Sequence, residues 1–151
     1  MKKVFLSLAL MFGFFLLIQP NAYADYPEHL NGDPDYVLTF GRQGMGYYVQ
    51  KSSLNVEQYS PPIYILSVKV YHVNNADRGN TFPGQPTSRR FLYKWDKREM
   101  YLDAGNVWNY LDPKRYSSNV AVGEMTFYIA YKEKFYGQLG GFNDGFYSPA
   151  D

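Results

Sequence analysis

The stretch from Ser88 to Leu102 restricts the fold more than any other part of the chain. Phe91, Tyr93 and Trp95 alternate with Leu92 and Lys94, so an extended strand here carries three rings on one face. Asp96, Lys97 and Arg98 supply a charged turn, after which Met100 and Leu102 alternate with Glu99 and Tyr101. Two strands that return on each other with a ring-bearing face need a further apolar layer. The pattern therefore predicts an antiparallel sheet with something packed on it.

The flanking segments extend this reading. Tyr36 to Phe40 alternates, with Tyr36, Leu38 and Phe40 expected on one face, and the glycines at 41, 44 and 46 suit a hairpin turn before a second strand from Tyr47 to Ser52. Ser53 to Pro62 reads as connection, because Pro61 and Pro62 donate no ladder hydrogen bond. Ile63 to Val73 is a long strand, Asn74 to Thr87 a loop rich in Asn, Gly and Pro, and Val107 to Leu111 a short last strand ended by Asp112 and Pro113. From Ser118 the period lengthens. Ala121, Met125, Tyr128 and Phe135 fall on one helical face, widened by Val122, Ile129 and Tyr136. Ser117 or Ser118 can cap the start, Glu124 lies near the positive end, and Gly137 can close the helix. A strand over Thr126 to Tyr131 is the alternative that Gly123 and the β-branched residues leave open. The tail from Gln138 onward packs as a flap or stays loose. The fold class expected is α+β: a five- to six-stranded antiparallel meander with one C-terminal helix on one face.

The N-terminus carries an address. Lys2 and Lys3 precede an apolar run from Val4 to Ile18, Pro20 ends it, and Ala22-Tyr23-Ala24 places small residues where a signal peptidase needs them. Residues 1–24 are expected to be a secretory signal peptide, and 25–151 a single exported domain. The apolar run is short for a membrane span, and no stop-transfer pattern follows. Removing the leader takes two of the 15 basic residues and leaves 13 against 14 acidic ones. No basic footprint for nucleic acid remains. The chain has no cysteine, so disulfides, a thiol nucleophile, a thiolate metal site and a lipid-modified cysteine are all excluded. The expected product is periplasmic or extracellular and not lipid-anchored.

Residues for chemistry are few. The two histidines, His29 and His72, share no motif; His72 with a nearby carboxylate would serve a small cell-wall or glycan hydrolase. Asp103, Asp112 and Glu124 are the acids flanked by aromatic residues, the residue type that glycoside hydrolysis uses in pairs. Asn31, Asp33 and Asp35, and also Asn75, Asp77 and Gly79, alternate as in calcium loops. Arg42 stands where the first would need its twelfth-position carboxylate, and ordinary turns explain both. No pattern calls for a cofactor. The sixteen Tyr and two Trp instead offer flat amphipathic surface, with Trp108 and Tyr110, beside Gly105 and Asn106, the best exposed pair for a ligand or partner. The function expected is a non-enzymatic binding module whose partner is an envelope or host protein or a glycan, with an edge strand free for homodimerisation.

Phe91 to Leu102, Trp108 to Pro113, Gly123 to Tyr131 and Lys134 to Gly137 together resemble segments of small uncharacterised exported proteins from diderm Firmicutes. More loosely, Tyr47 to Leu54 resembles the strand-then-Ser pattern of surface-adhesin protein E-like domains. That second resemblance implies a small antiparallel sheet with a helix, export, frequent dimerisation and binding of host proteins. It carries no binding residue onto this sequence.

Overall fold

The computed structural model describes residues 25–151; the expected signal peptide lies outside them. Six strands follow in order: β1 (Tyr36–Arg42), β2 (Met45–Ser60), β3 (Ile63–Val73), β4 (Thr87–Lys94), β5 (Glu99–Asp103) and β6 (Trp108–Leu111). They form one antiparallel meander in sequence order. Helix α1 (Ser118–Tyr131) and the single turn α2 (Asp144–Tyr147) complete it, with turns of 3-10 helix at Leu30–Gly32, Ala76–Arg78, Gly137–Gly140 and Ser148–Ala150. The fold class is the expected α+β sheet with a helix on one face.

Local chemistry sets the turns. Gln43 and Gly44 both have positive φ, 53° and 82°, between the paired residues Arg42 and Met45, which is the two-residue hairpin whose twist matches that of its strands. In the central hairpin Lys94 pairs with Glu99 around a loop in which the Arg98 N–H donates to Trp95 O at 3.3 Å.

Two boundaries and one strand face differ from the sequence expectation. The segment from Ser53 to Ser60 is not connection; β2 continues through it against β3, and Pro61 and Pro62 make the turn. Register shifts between Gln50 and Asn55 and between Val56 and Gln58 break its alternation, and its last six residues are exposed, so no period-2 pattern was there to read. In β1 a register shift between Leu38 and Phe40 puts those two residues in different clusters: Leu38 joins Tyr36 and Tyr48, whereas Phe40 enters the main core. The helix is a helix and not the alternative strand, but it stops at Tyr131. Lys132 adopts φ 56° and closes it, its N–H donating to Tyr128 O at 2.7 Å, so Phe135 and Tyr136 reach the core from the following loop. Ser117 is the cap, its Oγ accepting from the Val120 N–H at 3.3 Å.

α1 lies between two layers. On one side Phe91, Tyr93, Met100, Leu66 and Val68 of the sheet meet it; on the other the tail folds back with Phe142, Tyr147 and Ala150 buried. Every residue from Val120 to Phe127 is therefore buried, not one stripe. Gly123 is the point of closest approach: a Cβ there would stand 2.2 Å from Met100 Sδ and 3.1 Å from the Phe91 ring. On the outer face, the lead-in and the Ala76–Arg78 turn cover the β1–β3 end through Leu30, Tyr48, Val73 and Ala76.

Candidate functional site

Beyond the end covered by the lead-in, the outer face from Ile65 and Ser67 of β3 across β4, β5 and β6 contributes no residue to the buried clusters. Strand register places its side chains in rows. Ile65, Leu92, Tyr101 and Tyr110 stand side by side in one, and Ser67 and Arg90 run towards Asp103 and Trp108 in the next. Trp108 and Tyr110 thus share a face, alternating with Asn109 and with Leu111, which turns inward.

Charged groups order these rings. The Arg90 guanidinium sits 5.1 Å from the centroid of the half-buried Trp108, and is held there by Glu57 and by Asp103 Oδ2 at 3.0 Å. The hydrogen bond from Arg90, followed by that from the Gly105 N–H, keeps the Asp103 carboxyl below its ordinary range. Lys94 Nζ lies 4.8 Å from the Tyr101 ring, whose hydroxyl donates to Glu99 Oε2 at 2.7 Å. That bond to a carboxylate pushes the Tyr101 phenol up, so it stays a neutral donor. Tyr110, 52% exposed, meets Tyr101 edge to face at 5.6 Å and also borders a depression of about 450 Å3 with Asp112, Arg115 and Tyr116. The result is a strip of aromatic rings and two cations beside the free edge of β6.

The hydrolase residues do not assemble in this way. His72 packs tilted against Tyr47 at 4.6 Å, and its Nε2 lies 3.3 Å from Arg89 Nη2; Arg89 Nη1 donates to Asn119 Oδ1 at 2.7 Å. Burial, and then the Arg89 charge, hold His72 below its usual value. Its side-chain partner is a cation, and among the described residues no carboxylate hydrogen-bonds it. His29 is remote in sequence and contacts Tyr36 O at 3.4 Å.

Among the acids, Asp103 faces outward and Glu124 lies buried on the helix side, so the sheet separates them. Asp112 caps the Lys114 N–H at 2.9 Å. Glu124 is not the first-turn acid expected; it is fully buried at mid-helix. Its Oε2 accepts from the Tyr136 N–H at 2.7 Å, and its Oε1 from the Gly137 N–H at 3.1 Å and the Tyr147 hydroxyl at 2.6 Å. It pins the chain after α1 and the tail to the helix. Sequence offered only a weak signal for this: an acid within an otherwise apolar helical run.

Of the calcium-like alternations, Asp33 accepts from the Asp35 N–H at 2.9 Å and Asp35 from Ser52, as turn residues do. No three His, Asp or Glu side chains cluster for a metal among the described residues, and no helix there is long and apolar enough to cross a membrane. The chain matches no family model, no curated protein and no solved structure.

Proposed function

We propose that this chain is a non-enzymatic binding module acting outside the cytoplasm, an adhesin-like or envelope-associated domain exported by its N-terminal signal. The observation that carries the reading is the outward-facing strip of the exposed Tyr110 and the half-buried Trp108 and Tyr101, with Arg90 and Lys94 over two of the rings. Rings of this kind contribute contact area while losing few rotamers, and the cations give the strip polar contacts of fixed direction. β6 is the last strand in the sheet order, an edge to which an extended partner segment, or a second copy, can add. A soluble envelope protein, a host protein or a glycan all suit such a surface.

The experiment is retention of residues 25–151 on envelope extract and on insoluble cell-wall material, repeated with Trp108→Ala and Tyr110→Ala combined. Retention by the parent and its loss in the double variant, with the unfolding free energy changed by less than about 1 kcal/mol, is the expected result. Equal retention by both forms would remove the strip from the interaction. No retention by either, joined to turbidity clearance of cell-wall material, would overturn the binding reading in favour of hydrolysis.

A further inference from the structure

A second aromatic surface lies on the opposite, helix side of the sheet. The ends of β2 and β3 approach the last turn of α1 and leave a depression of about 260 Å3, lined by Tyr59, Tyr64, Trp95, Phe127, Tyr131 and Glu133. The inner rings are mutually packed. Trp95 stacks on Phe127 at 5.4 Å and 16°, and the Arg98 guanidinium lies over it at 3.7 Å. Tyr64 meets Phe127 edge to face at 5.5 Å and Tyr131 at 5.3 Å. Tyr59, 64% exposed, leans on Tyr64 and Tyr131 at 5.5 and 5.9 Å and forms the outer wall.

Two polar features set this depression apart from an ordinary exposed patch. The Tyr131 hydroxyl is buried and has no hydrogen-bond partner, a deficit that native structures rarely leave unexplained. Glu133 is exposed at the rim and makes no ion pair among the described residues, while its neighbours Lys132 and Lys134 are turned to Asp151 at 3.5 Å and Asp144 at 2.6 Å. The Tyr131 phenol with its buried, unpaired oxygen, the Glu133 rim and the surrounding rings line one depression.

We propose that this depression binds a primary ammonium group of the kind a lysine side chain presents. Its N–H donates to Tyr131 Oη, its charge is balanced by Glu133, and the negative faces of Tyr59 and Tyr64 attract it. An anion would be opposed by Glu133 and the ring faces. A purely apolar group would leave the phenol unpaired and would desolvate the carboxylate. Arg98 on Trp95 shows the same cation-on-ring contact already used within the fold.

The test is a titration of 15N-labelled residues 25–151, followed by NMR at constant ionic strength. The probes are N-acetyl-lysine methylamide, tetramethylammonium chloride and N-acetylglucosamine. The lysine derivative is expected to give saturable shifts confined to the Trp95 indole N–H and the backbone of Tyr59, Tyr131 and Glu133. Tyr59→Ala and Glu133→Gln, both at exposed positions, should each weaken it at least about fivefold. Tyr131→Phe should weaken the lysine derivative and leave tetramethylammonium, which has no N–H to donate, unchanged. Shifts from N-acetylglucosamine with none from the lysine derivative would overturn the proposal and assign the depression to a saccharide. Shifts from the lysine derivative that are spread over the surface, or unaltered in the three variants, would overturn it as well. None of these residues belongs to the Trp108 and Tyr110 strip, so the two surfaces fail or succeed separately.

Discussion

Replacing Glu124 by Gln tests the contact on which the helix side of the fold depends. The carboxylate is fully buried and accepts three hydrogen bonds, two of them from backbone N–H groups that have no water to turn to. A Gln side chain can keep its oxygen towards the Gly137 N–H and the Tyr147 hydroxyl, but it then turns an NH2 group against the Tyr136 N–H. One charge-assisted bond is lost, worth about 1.5–3 kcal/mol, and a buried donor is left facing another donor, at a cost of about 1–3 kcal/mol. Because the two terms overlap, the expected loss is about 2–4 kcal/mol of a total stability of about 5–15 kcal/mol. Urea unfolding of residues 25–151, followed by tryptophan fluorescence, should show a lower midpoint at an unchanged slope. Tyr147→Phe, which removes one of the three donors, should cost less. In combination with Glu124→Gln the losses should not add, since both variants disturb the same contact. A Glu124→Gln variant within about 0.5 kcal/mol of the parent would refute the reasoning, because an acceptor with three committed buried donors cannot be altered so cheaply.

Gly123→Ala should destabilise by about 1–3 kcal/mol despite the helix propensity it gains, because the new Cβ meets Met100 Sδ and Phe91 inside a filled core; a stabilised variant in the same urea assay would contradict the close approach. His72 sets a pH dependence. Its native value is held below the ordinary 6.5, so the unfolded chain takes up the proton first as pH falls, and stability should drop from about pH 6.5 down to the native value. His72→Gln should flatten that part of the curve, and an unchanged slope would remove His72 as its source.

The β4–β5 hairpin was legible because it buries one face only: period-2 burial leaves a period-2 sequence over Phe91 to Leu102. Ile63 to Val73 coincides with β3, a long run rich in apolar and β-branched residues that buries Leu66, Val68 and Val70 on the helix side and Val73 on the other. Ser53 to Ser60 was not legible, because a bulged strand exposed on both sides carries no alternation. The helix end was misplaced because Phe135 and Tyr136 kept the apolar spacing after the backbone had already turned at Lys132. Gly123 counted against a helix by propensity, yet it is what lets the helix lie close to β4 and β5. The shared face of Trp108 and Tyr110 followed from alternation alone. The depression at Tyr59 and Tyr131 could not, since it joins residues 72 positions apart in the chain.

By itself the sequence determined the antiparallel meander and the absence of thiol chemistry, and it favoured, without deciding, a helix after the meander. These depend on composition and on local periodicity, which a strand or helix imprints on its own residues. Only the tertiary structure decided that Glu124 is an internal anchor, that His72 has a cation beside it, and which rings stay uncovered. Each of those depends on what another segment brings against the residue, and a contact between distant segments leaves no period in either one.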